Sequence, residues 1–481
     1  MQDPKYPRTT VRLLGEPPDP MELPRLFSDQ SPWNQIIAGS NAFPNGVIPE
    51  SDNQRVMLVA FDILREFSWE ALAKDYKRRD ELVLSGPLLD PVKEANRLSQ
   101  IDDLIKKISR QHLALEIKDG LDRGGIQTPN IGCVDYAFPI FAVRRENGAR
   151  PEVEIRMNTY GNESWKPAYS RRRSEGEEPN KTWFAEGVPL PAGVFRPAGP
   201  ESDEADGCVI LYDNIDYEEW DFFQVTTSRE PLQHGGGHEG TEILVAGSLA
   251  RFDTQSTGAR LPPDSEPLGS SRATGLPYLG GLLVPEDFKN GENSVIRHAM
   301  AFTFPRSRYF PFRAPPDPPD FIYPAVKSET SHFIQNPYAL AAGMRIRLKS
   351  VIKSADGREL PQDNWDTLPP AVRIFFTALH EYGAYLVDGA FGFGFAAEDR
   401  ETAVIDPNMV PLLTEHLIEE STTPWESLLQ TIDDHLNWKL FLADSSTSPN
   451  FGLSLGFLEK TQYGYEFWTN FEVVAPLEMT G

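Results

Sequence analysis

The side chains best suited to acid–base chemistry form a block of acidic and aromatic residues near the middle of the chain. In strand geometry Glu219 and Asp221 share one face with Tyr217, whereas Glu218 and Trp220 lie on the other face. A glycan-cleaving site needs this combination, because one acid protonates the leaving oxygen, a second acts as base or nucleophile, and a flat ring contacts the sugar. An exposed strand with one solvated face is the alternative explanation. The predicted catalytic carboxylates are Asp206, Glu218, Glu219 and Asp221, and the predicted substrate contacts are Tyr217, Trp220 and Asp221.

A glycine-rich stretch, residues 234–240, carries two histidines and a glutamate. Its glycines let the backbone approach a ligand closely, and the imidazoles supply groups that titrate near neutral pH. We predict that His238 transfers a proton and that His234 contacts a bound sugar, with no cofactor. The alternatives are a metal ion held by His234, His238 and Glu239, which would lack the helical register of a strong metal signal, and a surface loop with incidental histidines.

Two further segments carry candidate catalytic groups. His298 follows Arg297 in an alternating run, residues 297–304, that predicts a strand with His298 on its apolar face. A histidine there is usually a hydrogen-bonded core residue, but if that face lines a cleft, His298 becomes a catalytic candidate and Arg297 a substrate contact. Tyr382 lies where a predicted helix passes through a glycine turn into a strand, residues 380–388. It is a candidate base, although helix capping and packing also explain the pattern.

The elements that must position these residues are mostly short strands. From residue 130 onward, short apolar or alternating runs are separated by turns, and the 481 residues include 42 prolines. Because proline interrupts helices and central strands, this pattern predicts a mainly β fold, an antiparallel β-sandwich or jelly roll. Apolar side chains three and four residues apart predict an added N-terminal helical hairpin, with its first helix over 54–84, and a few peripheral helices, including 368–380 and 423–438. The predicted domains are an irregular N-terminal segment at 1–53 that packs on the main body, the hairpin insertion at 54–120 and one large β-sandwich domain at 121–481.

The net charge argues against two classes of partner. The chain has 46 basic and 71 acidic side chains, a formal charge of −25. Such a surface repels nucleic-acid phosphates and anionic lipid headgroups, so we predict neither a nucleic-acid nor a membrane partner. No stretch approaches eighteen apolar residues, and the first residues show neither part of a signal peptide.

Several short motifs are spread along the chain. They are Ser31-Pro32-Trp33-Asn34, the segment 202–207 followed by Tyr217-Glu218-Glu219-Trp220, Gly275-Leu276-Pro277 with Gly280-Gly281-Leu282, Arg297-His298-Ala299, and the segment 382–388. Together they resemble a group of large, mostly uncharacterised bacterial β-sandwich proteins, many of them secreted and polysaccharide-associated. The resemblance covers residues 25–50 and 190–395. It implies a glycan-directed jelly roll, in a mature secreted form rather than a cytoplasmic one, and assigns no reaction.

These observations predict an enzyme that cleaves a polysaccharide in an open cleft on a β-sandwich. Hydrolysis by two carboxylates is preferred, with His298 or His238 tuning one of them. The first alternative is a polysaccharide lyase that eliminates across a uronate with Tyr382 or His298 as base, and the second is a non-catalytic glycan-binding or structural protein. A lyase requires a locally basic cleft, because a polyuronate is repelled by the net charge of −25. The candidate arginines for such a cleft are Arg297, Arg306, Arg308, Arg313, Arg345 and Arg347.

Overall fold

The computed structural model contains 32% helix and 28% strand. The residues that it describes, and to which the following account refers, are 26–37, 47–66, 69–85, 91–101, 103–104, 130–132, 137–142, 153–157, 170–172, 182–185, 207–213, 215–223, 225, 242–246, 248–259, 272–310, 318–328, 333–354, 357–390, 393–399, 402, 428, 431–432, 435–436 and 468–475.

The strands are short, as the spacing of turns and prolines predicts. In chain order they are β1 (Asn130–Gly132), β2 (Ile140–Ala142), β3 (Val153–Met157), β4 (Ser170–Arg172), β5 (Thr182–Ala185), β6 (Val209–Asp213), β7 (Glu218–Phe223), β8 (Glu242–Ala246), β9 (Ser248–Asp253), β10 (Met300–Phe304), β11 (Ser307–Arg308), β12 (Phe333–Ile334), β13 (Arg345–Leu348), β14 (Val351–Lys353), β15 (Glu359–Pro361), β16 (Ala384–Gly389), β17 (Gly394–Ala396) and β18 (Phe471–Val473).

The largest described sheet has six strands in the order β1-β17-β10-β16-β13-β18. Both of its faces are buried, because alternate residues of β10 and β16 enter different clusters of apolar side chains. Phe302 and Leu386 lie in one cluster, together with residues of the helix Pro370–Glu381. Ala301 and Tyr385 lie in the other. A strand buried on both faces is mostly apolar, which explains why every residue of β10 except the half-buried Thr303 is apolar.

A four-stranded sheet in the order β2-β6-β7-β9 packs against the second face of the large sheet. Ile210 and Tyr212 of β6 share the second cluster with Tyr385 and Ala301, so this cluster joins the two sheets. The opposite face of the four-stranded sheet is also covered, by a third cluster that includes Trp220. The remaining described sheets are β4-β5-β3-β8 and the pairs β11-β12 and β14-β15.

The described helices include two that pack on the six-stranded sheet, and their bounds follow. The region predicted as one helix over 54–84 forms two, α1 (Glu50–Glu66) and α2 (Trp69–Leu84), and residues 91–101 form α3. α4 is Pro370–Glu381, close to the predicted bounds. Short 3₁₀ helices occur at Pro32–Asn34, Pro285–Phe288, Gly291–Asn293 and Gln362–Thr367.

Helix α1 belongs to the main body rather than to an external hairpin. Val56, Met57 and Ala60 are buried in the same cluster as α4 and the large sheet. The Asn53 side chain accepts a hydrogen bond of 2.8 Å from the backbone N–H of Val473 in β18. The apolar stripe that predicts an amphipathic helix is therefore the stripe that docks it.

The N-terminal segment, residues 26–37, lies across both sheets. Asn34 closes it on itself, since its side-chain amide donates to the carbonyls of residues 26–28 at 2.9–3.1 Å. The guanidinium of Arg345 donates to the carbonyls of Gln35, at 2.7 Å, and Tyr382. Residues 26–37 therefore pack on the main body.

The sheets differ from the predicted arrangement in one respect. The pairs β10–β16, β1–β17, β2–β6 and β3–β8 are parallel, whereas the others in these three sheets are antiparallel. The prediction of a mainly β fold holds only in part, because the structure is mixed, with 32% helix and 28% strand, and its sheets have mixed orientation and do not show an antiparallel jelly roll. Parallel neighbours need long connections, and period-two alternation alone does not distinguish the two orientations. Within the described ranges, no helix is both long and apolar enough to cross a bilayer.

Candidate functional site

A pocket of about 220 Å³ opens between the N-terminal segment and the residues that precede β10. Its walls mix apolar side chains with groups that ionise, the composition expected of a site that binds a polar ligand. The lining residues are Leu26, Phe27, Trp33, Asn34, Leu279, Gly281, Leu282, Val284, Glu286, Asp287, Lys289, Val295, Arg297 and His298.

His298 and Asp287 are in hydrogen-bond contact in this pocket. The Nε2 atom of His298 lies 3.3 Å from Oδ1 of Asp287, and its Nδ1 lies 3.1 Å from the carbonyl oxygen of Ala299. The other carboxylate oxygen of Asp287 accepts the backbone N–H of Val284 at 3.1 Å, which fixes the carboxylate at the start of a 3₁₀ helix. Both imidazole nitrogens therefore face acceptor oxygens, an arrangement that suits a group which holds and transfers a proton.

Two further cationic side chains line the pocket. Arg297 is exposed and Lys289 is half-buried, and both line the pocket together with His298. Asp287 and Glu286 are the acidic groups of the wall. Three cationic side chains against these two acids give the wall a net charge of at most +1, so it is locally less acidic than the chain as a whole, and Arg297 and Lys289 offer contacts to an anionic ligand.

The indole of Trp33 forms the apolar wall on the side of the N-terminal segment. Ser31 caps the short 3₁₀ helix that carries it by accepting the backbone N–H of Trp33 at 3.3 Å. The ring packs edge-on against Tyr385, with 5.2 Å between centroids. It also lies so close to Gly280 and Gly281 that a Cβ at either position would come within 2.7 Å of the indole. The position of Trp33 therefore requires glycine at positions 280 and 281, about 250 residues further along the chain.

The carboxyl groups of Glu219 and Asp221 lie behind this pocket, between the two sheets. Both residues are fully buried. Glu219 accepts the backbone N–H of Leu279 at 2.6 Å, and Asp221 accepts that of Tyr278 at 2.9 Å. Because residues 278 and 279 are not in a strand, these carboxyls supply the acceptors that a sheet would otherwise provide.

Arg272 is the buried cation nearest to these acids. Its guanidinium donates to the carbonyls of Gly280 and Tyr278, each at 2.9 Å. Burial lowers the pKa of Arg272, and the charges of Asp221 and Asp388 act in the opposite direction. The cluster thus combines hydrogen bonds to one loop with a partial balance of charge.

Burial also changes the acidity of Glu219. Loss of water raises its pKa well above 4.5, and the charge of Asp221 and a hydrogen bond with that residue raise it further. The N–H of Leu279 and the charge of Arg272 act in the opposite direction. Two carboxyl groups can hydrogen-bond to each other only through a proton, so Glu219 holds a proton into a pH range in which an exposed glutamate has lost it. Tyr212, opposite Glu219 on β6, has a pKa raised to about 12, chiefly by burial.

The other predicted residues of the acidic block do not form a cleft. Tyr217 lies in the turn before β7, with φ at 56°, so it does not share the strand face of Glu219. Trp220 is fully buried in the third cluster, beneath the guanidinium of Arg251. Glu218 is buried and pairs with Arg251. The solvated strand face that was the alternative explanation is therefore wrong, because both faces of β7 are covered.

The candidate residues of the other two segments, 297–304 and 380–388, lie in different surroundings. His298 is not on a strand face, because β10 begins at Met300, and this is why its ring reaches the pocket rather than the core. Arg297 lies beside it in the pocket. Tyr382 caps the C-terminus of α4 and is buried in the second cluster, so the capping explanation describes its backbone correctly.

Several predicted residues lie outside the described residues: Asp206, His234, His238, Glu239 and Arg313. Of the other arginines proposed for a basic cleft, Arg345 is buried between the N-terminal segment and the sheet, and Arg308 is buried against backbone carbonyls. Arg347 pairs with Glu472 at 2.7 Å. Arg297 is the predicted arginine that lines the pocket.

Sequence reasoning did not single out Asp287, Lys289 or Arg272. Asp287 follows Val284-Pro285-Glu286, and an acid two positions after a proline suggests a short helical turn with its side chain returned to the N-cap. Nothing in the sequence places that turn beside His298. Arg272 lies in a polar stretch and carries no signal of burial.

The described residues contain no cluster of three or more histidine, cysteine or acidic side chains able to hold a metal ion. Comparison of the chain with protein-family models, with curated proteins and with solved structures finds no match in any of the three.

Proposed function

We propose that the protein binds and cleaves an acidic polysaccharide at the pocket of His298, Asp287, Arg297 and Lys289. The observation that carries the proposal is the His298–Asp287 pair, 3.3 Å apart, in a pocket whose wall also holds Arg297 and Lys289. The proposal includes a sandwich-like scaffold, formed by the two sheets that share the second apolar cluster. The pocket lies at the edge of that cluster.

The reaction that this set of groups supports best is β-elimination from a uronate. In this step Nδ1 of neutral His298 leaves the carbonyl oxygen of Ala299 and takes the proton next to the substrate carboxylate, while Nε2–H stays on Asp287. The electron pair released forms a carbon–carbon double bond as the glycosidic C–O bond breaks, and the departing oxygen takes a proton from the site or from water. Arg297 and Lys289 offset the charge of the carboxylate, whose negative charge increases as the proton leaves.

The carboxyls first proposed for hydrolysis are poorly placed for it. Glu219 and Asp221 are each 0% exposed, and each is already bound to a backbone N–H of the loop that separates them from the pocket. Hydrolysis remains the second candidate through Asp287, since this carboxylate lies on the pocket wall and beside a possible proton donor, His298.

A panel of neutral and uronic polysaccharides separates the possibilities. New reducing ends together with the ultraviolet absorbance of an unsaturated uronate identify elimination, and reducing ends without absorbance identify hydrolysis. Retention on a glycan column with neither signal means that the protein binds glycans without cleaving them. That result refutes the proposed enzymatic activity.

The role of His298 is tested by His298→Asn. Loss of a general base lowers the rate constant by about 10²–10⁴-fold. Elimination with a neutral imidazole as base also requires kcat to rise with pH through the titration of His298. The matched control is His435→Asn, since His435 is exposed in a helical segment and does not line the pocket. Turnover of the His298 variant within threefold of the control variant would remove His298 from the reaction.

A further inference from the structure

The loop that forms the inner wall of the pocket is held mainly by ionisable side chains that the pocket does not expose. We define the pocket loop as residues 278–282, of which Leu279, Gly281 and Leu282 line the pocket. Four hydrogen bonds join its backbone to Glu219, Asp221 and Arg272, at 2.6, 2.9, 2.9 and 2.9 Å. These three residues are fully buried.

The other side of the pocket loop is fixed by packing. The indole of Trp33 lies against Gly280 and Gly281, and the carbonyl of Gly281 accepts the N–H of Ala301 in β10 at 2.8 Å. The loop is therefore held between a tryptophan and a cluster of ionisable groups that hydrogen-bond to its backbone. A small change in the cluster must move that backbone, because a close-packed interior has no free volume to absorb it.

We propose that Glu219, Asp221 and Arg272 are positioning residues, which hold the pocket loop in the conformation that the reaction at His298 requires. This inference rests on the proposed function for the site of the reaction, but the hold on the loop stands on the geometry alone. The cluster contacts the site through the backbone of residues 278–280, and substrate would not touch it.

The protonation of Glu219 belongs to this arrangement. The ionisable groups around it are Asp221 on its own strand, Tyr212 on β6, Arg272, and Tyr278 of the pocket loop. The charge of Asp388 on β16 acts on both Arg272 and Tyr278, and Cys208 donates to the hydroxyl of Tyr278 at 3.3 Å. A neutral Glu219 donates to Asp221 while it accepts from Leu279. Ionisation removes the donated bond and places two negative charges together, whereas the N–H of Leu279 and the charge of Arg272 favour the ionised form, so these changes oppose each other at the loop.

The test compares Glu219→Asp with Glu219→Gln. Aspartate is shorter by one methylene and withdraws the acceptor from Leu279, whereas glutamine keeps an acceptor for Leu279 and a donor for Asp221. Hydrogen–deuterium exchange of peptides that cover residues 278–282 measures the hold directly. We expect exchange at least tenfold faster in Glu219→Asp, wild-type exchange in Glu219→Gln, and no change in the control Glu218→Asp, since Glu218 lies on the opposite face of β7.

The second readout is the catalytic activity of the site. We expect kcat/KM on the cleaved glycan to fall at least tenfold in Glu219→Asp and to stay at the wild-type value in Glu219→Gln. If the wild type cleaves no glycan, the proposed function fails, and the titration of His298, followed by exchange of its ring hydrogen, replaces kcat/KM as the readout. All variants are compared at a temperature at which circular dichroism shows them folded, and Arg272→Lys serves if Glu219→Asp does not fold.

Two results would overturn the inference. One is unchanged exchange of the pocket loop in both Glu219→Asp and Arg272→Lys, which would mean that the cluster does not hold the loop. The other is faster exchange with unchanged kcat/KM and an unchanged titration of His298, which would mean that the loop position does not matter to the site.

Discussion

Replacing Glu219 by glutamine should make the protein more stable at neutral and alkaline pH. Glutamine has the shape of the protonated glutamic acid and reproduces its hydrogen bonds to Leu279 and Asp221, but it cannot ionise. In the wild type, burial raises the pKa of Glu219 well above 4.5, so the folded protein keeps a proton that the unfolded chain releases. Between these two pKa values folding takes up a proton, and the free energy of unfolding therefore decreases as the pH rises.

The size of this effect follows from the number of protons. One group that stays protonated in the folded state and ionises in the unfolded state contributes a slope of about 1.4 kcal/mol per pH unit. Over two pH units inside that window, the wild type should lose about 2.7 kcal/mol relative to Glu219→Gln. The loss ends above the raised pKa, where both states have released the proton.

Urea denaturation at constant ionic strength, repeated between about pH 5 and pH 8, measures the difference. The control is Glu218→Gln on the neighbouring position of β7, which removes a carboxylate paired with Arg251 rather than one held neutral. The pH dependence of Glu218→Gln should run parallel to that of the wild type. If the curve of Glu219→Gln also runs parallel to the wild type, Glu219 is ionised in the folded protein and the argument for a shared proton is wrong.

Two further predictions concern the wall of the pocket. Trp33→Ala removes an indole that is 1% exposed and should cost about 3–5 kcal/mol of unfolding free energy, so a loss below about 1 kcal/mol in urea denaturation would mean that the indole does not support the wall. Gly281→Ala places a Cβ 2.5 Å from a backbone nitrogen at a φ of +72°, whereas Gly291→Ala, at +59°, meets no atom within 4 Å. Both replacements carry the conformational cost of about 1–2 kcal/mol, but Gly281→Ala should destabilise by clearly more. Equal losses of unfolding free energy in the two variants would show that the close contact of position 281 with β10 and Trp33 is not the reason that a glycine is needed there.

Part of the site was accessible from the sequence. The period-two rule places Glu219 and Asp221 on one side of a strand, and the structure confirms it. Their burial could not be predicted, since their partners, Leu279 and Tyr278, lie 60 and 57 residues further along. Local pattern shows which side chains are neighbours on an element, but not which backbone groups elsewhere lack an acceptor.

The same distinction applies to the fold. The helix α4 and the short strands follow from apolar periodicity and turn residues, which are local. The orientation of the strands follows from long connections, and the sequence pattern is the same for both orientations when a strand is buried on both faces. His298 shows the limit at a single residue: the alternation is correct, but β10 begins two residues later and the ring turns into the pocket.

The N-terminal segment also determines when the pocket can exist. The hydroxyl of Tyr385 donates to the backbone carbonyl of Pro32, 353 residues away in sequence, at 3.4 Å. The backbone carbonyl of Glu381 accepts the N–H of Ile37. During synthesis, Trp33 leaves the ribosome long before the strand against which it packs has been made. The entropy of closing so long a loop must be overcome before these contacts stabilise anything, so the pocket forms late in folding. A fragment that ends before β16 would therefore contain His298 and Asp287 but not the wall that makes them a site.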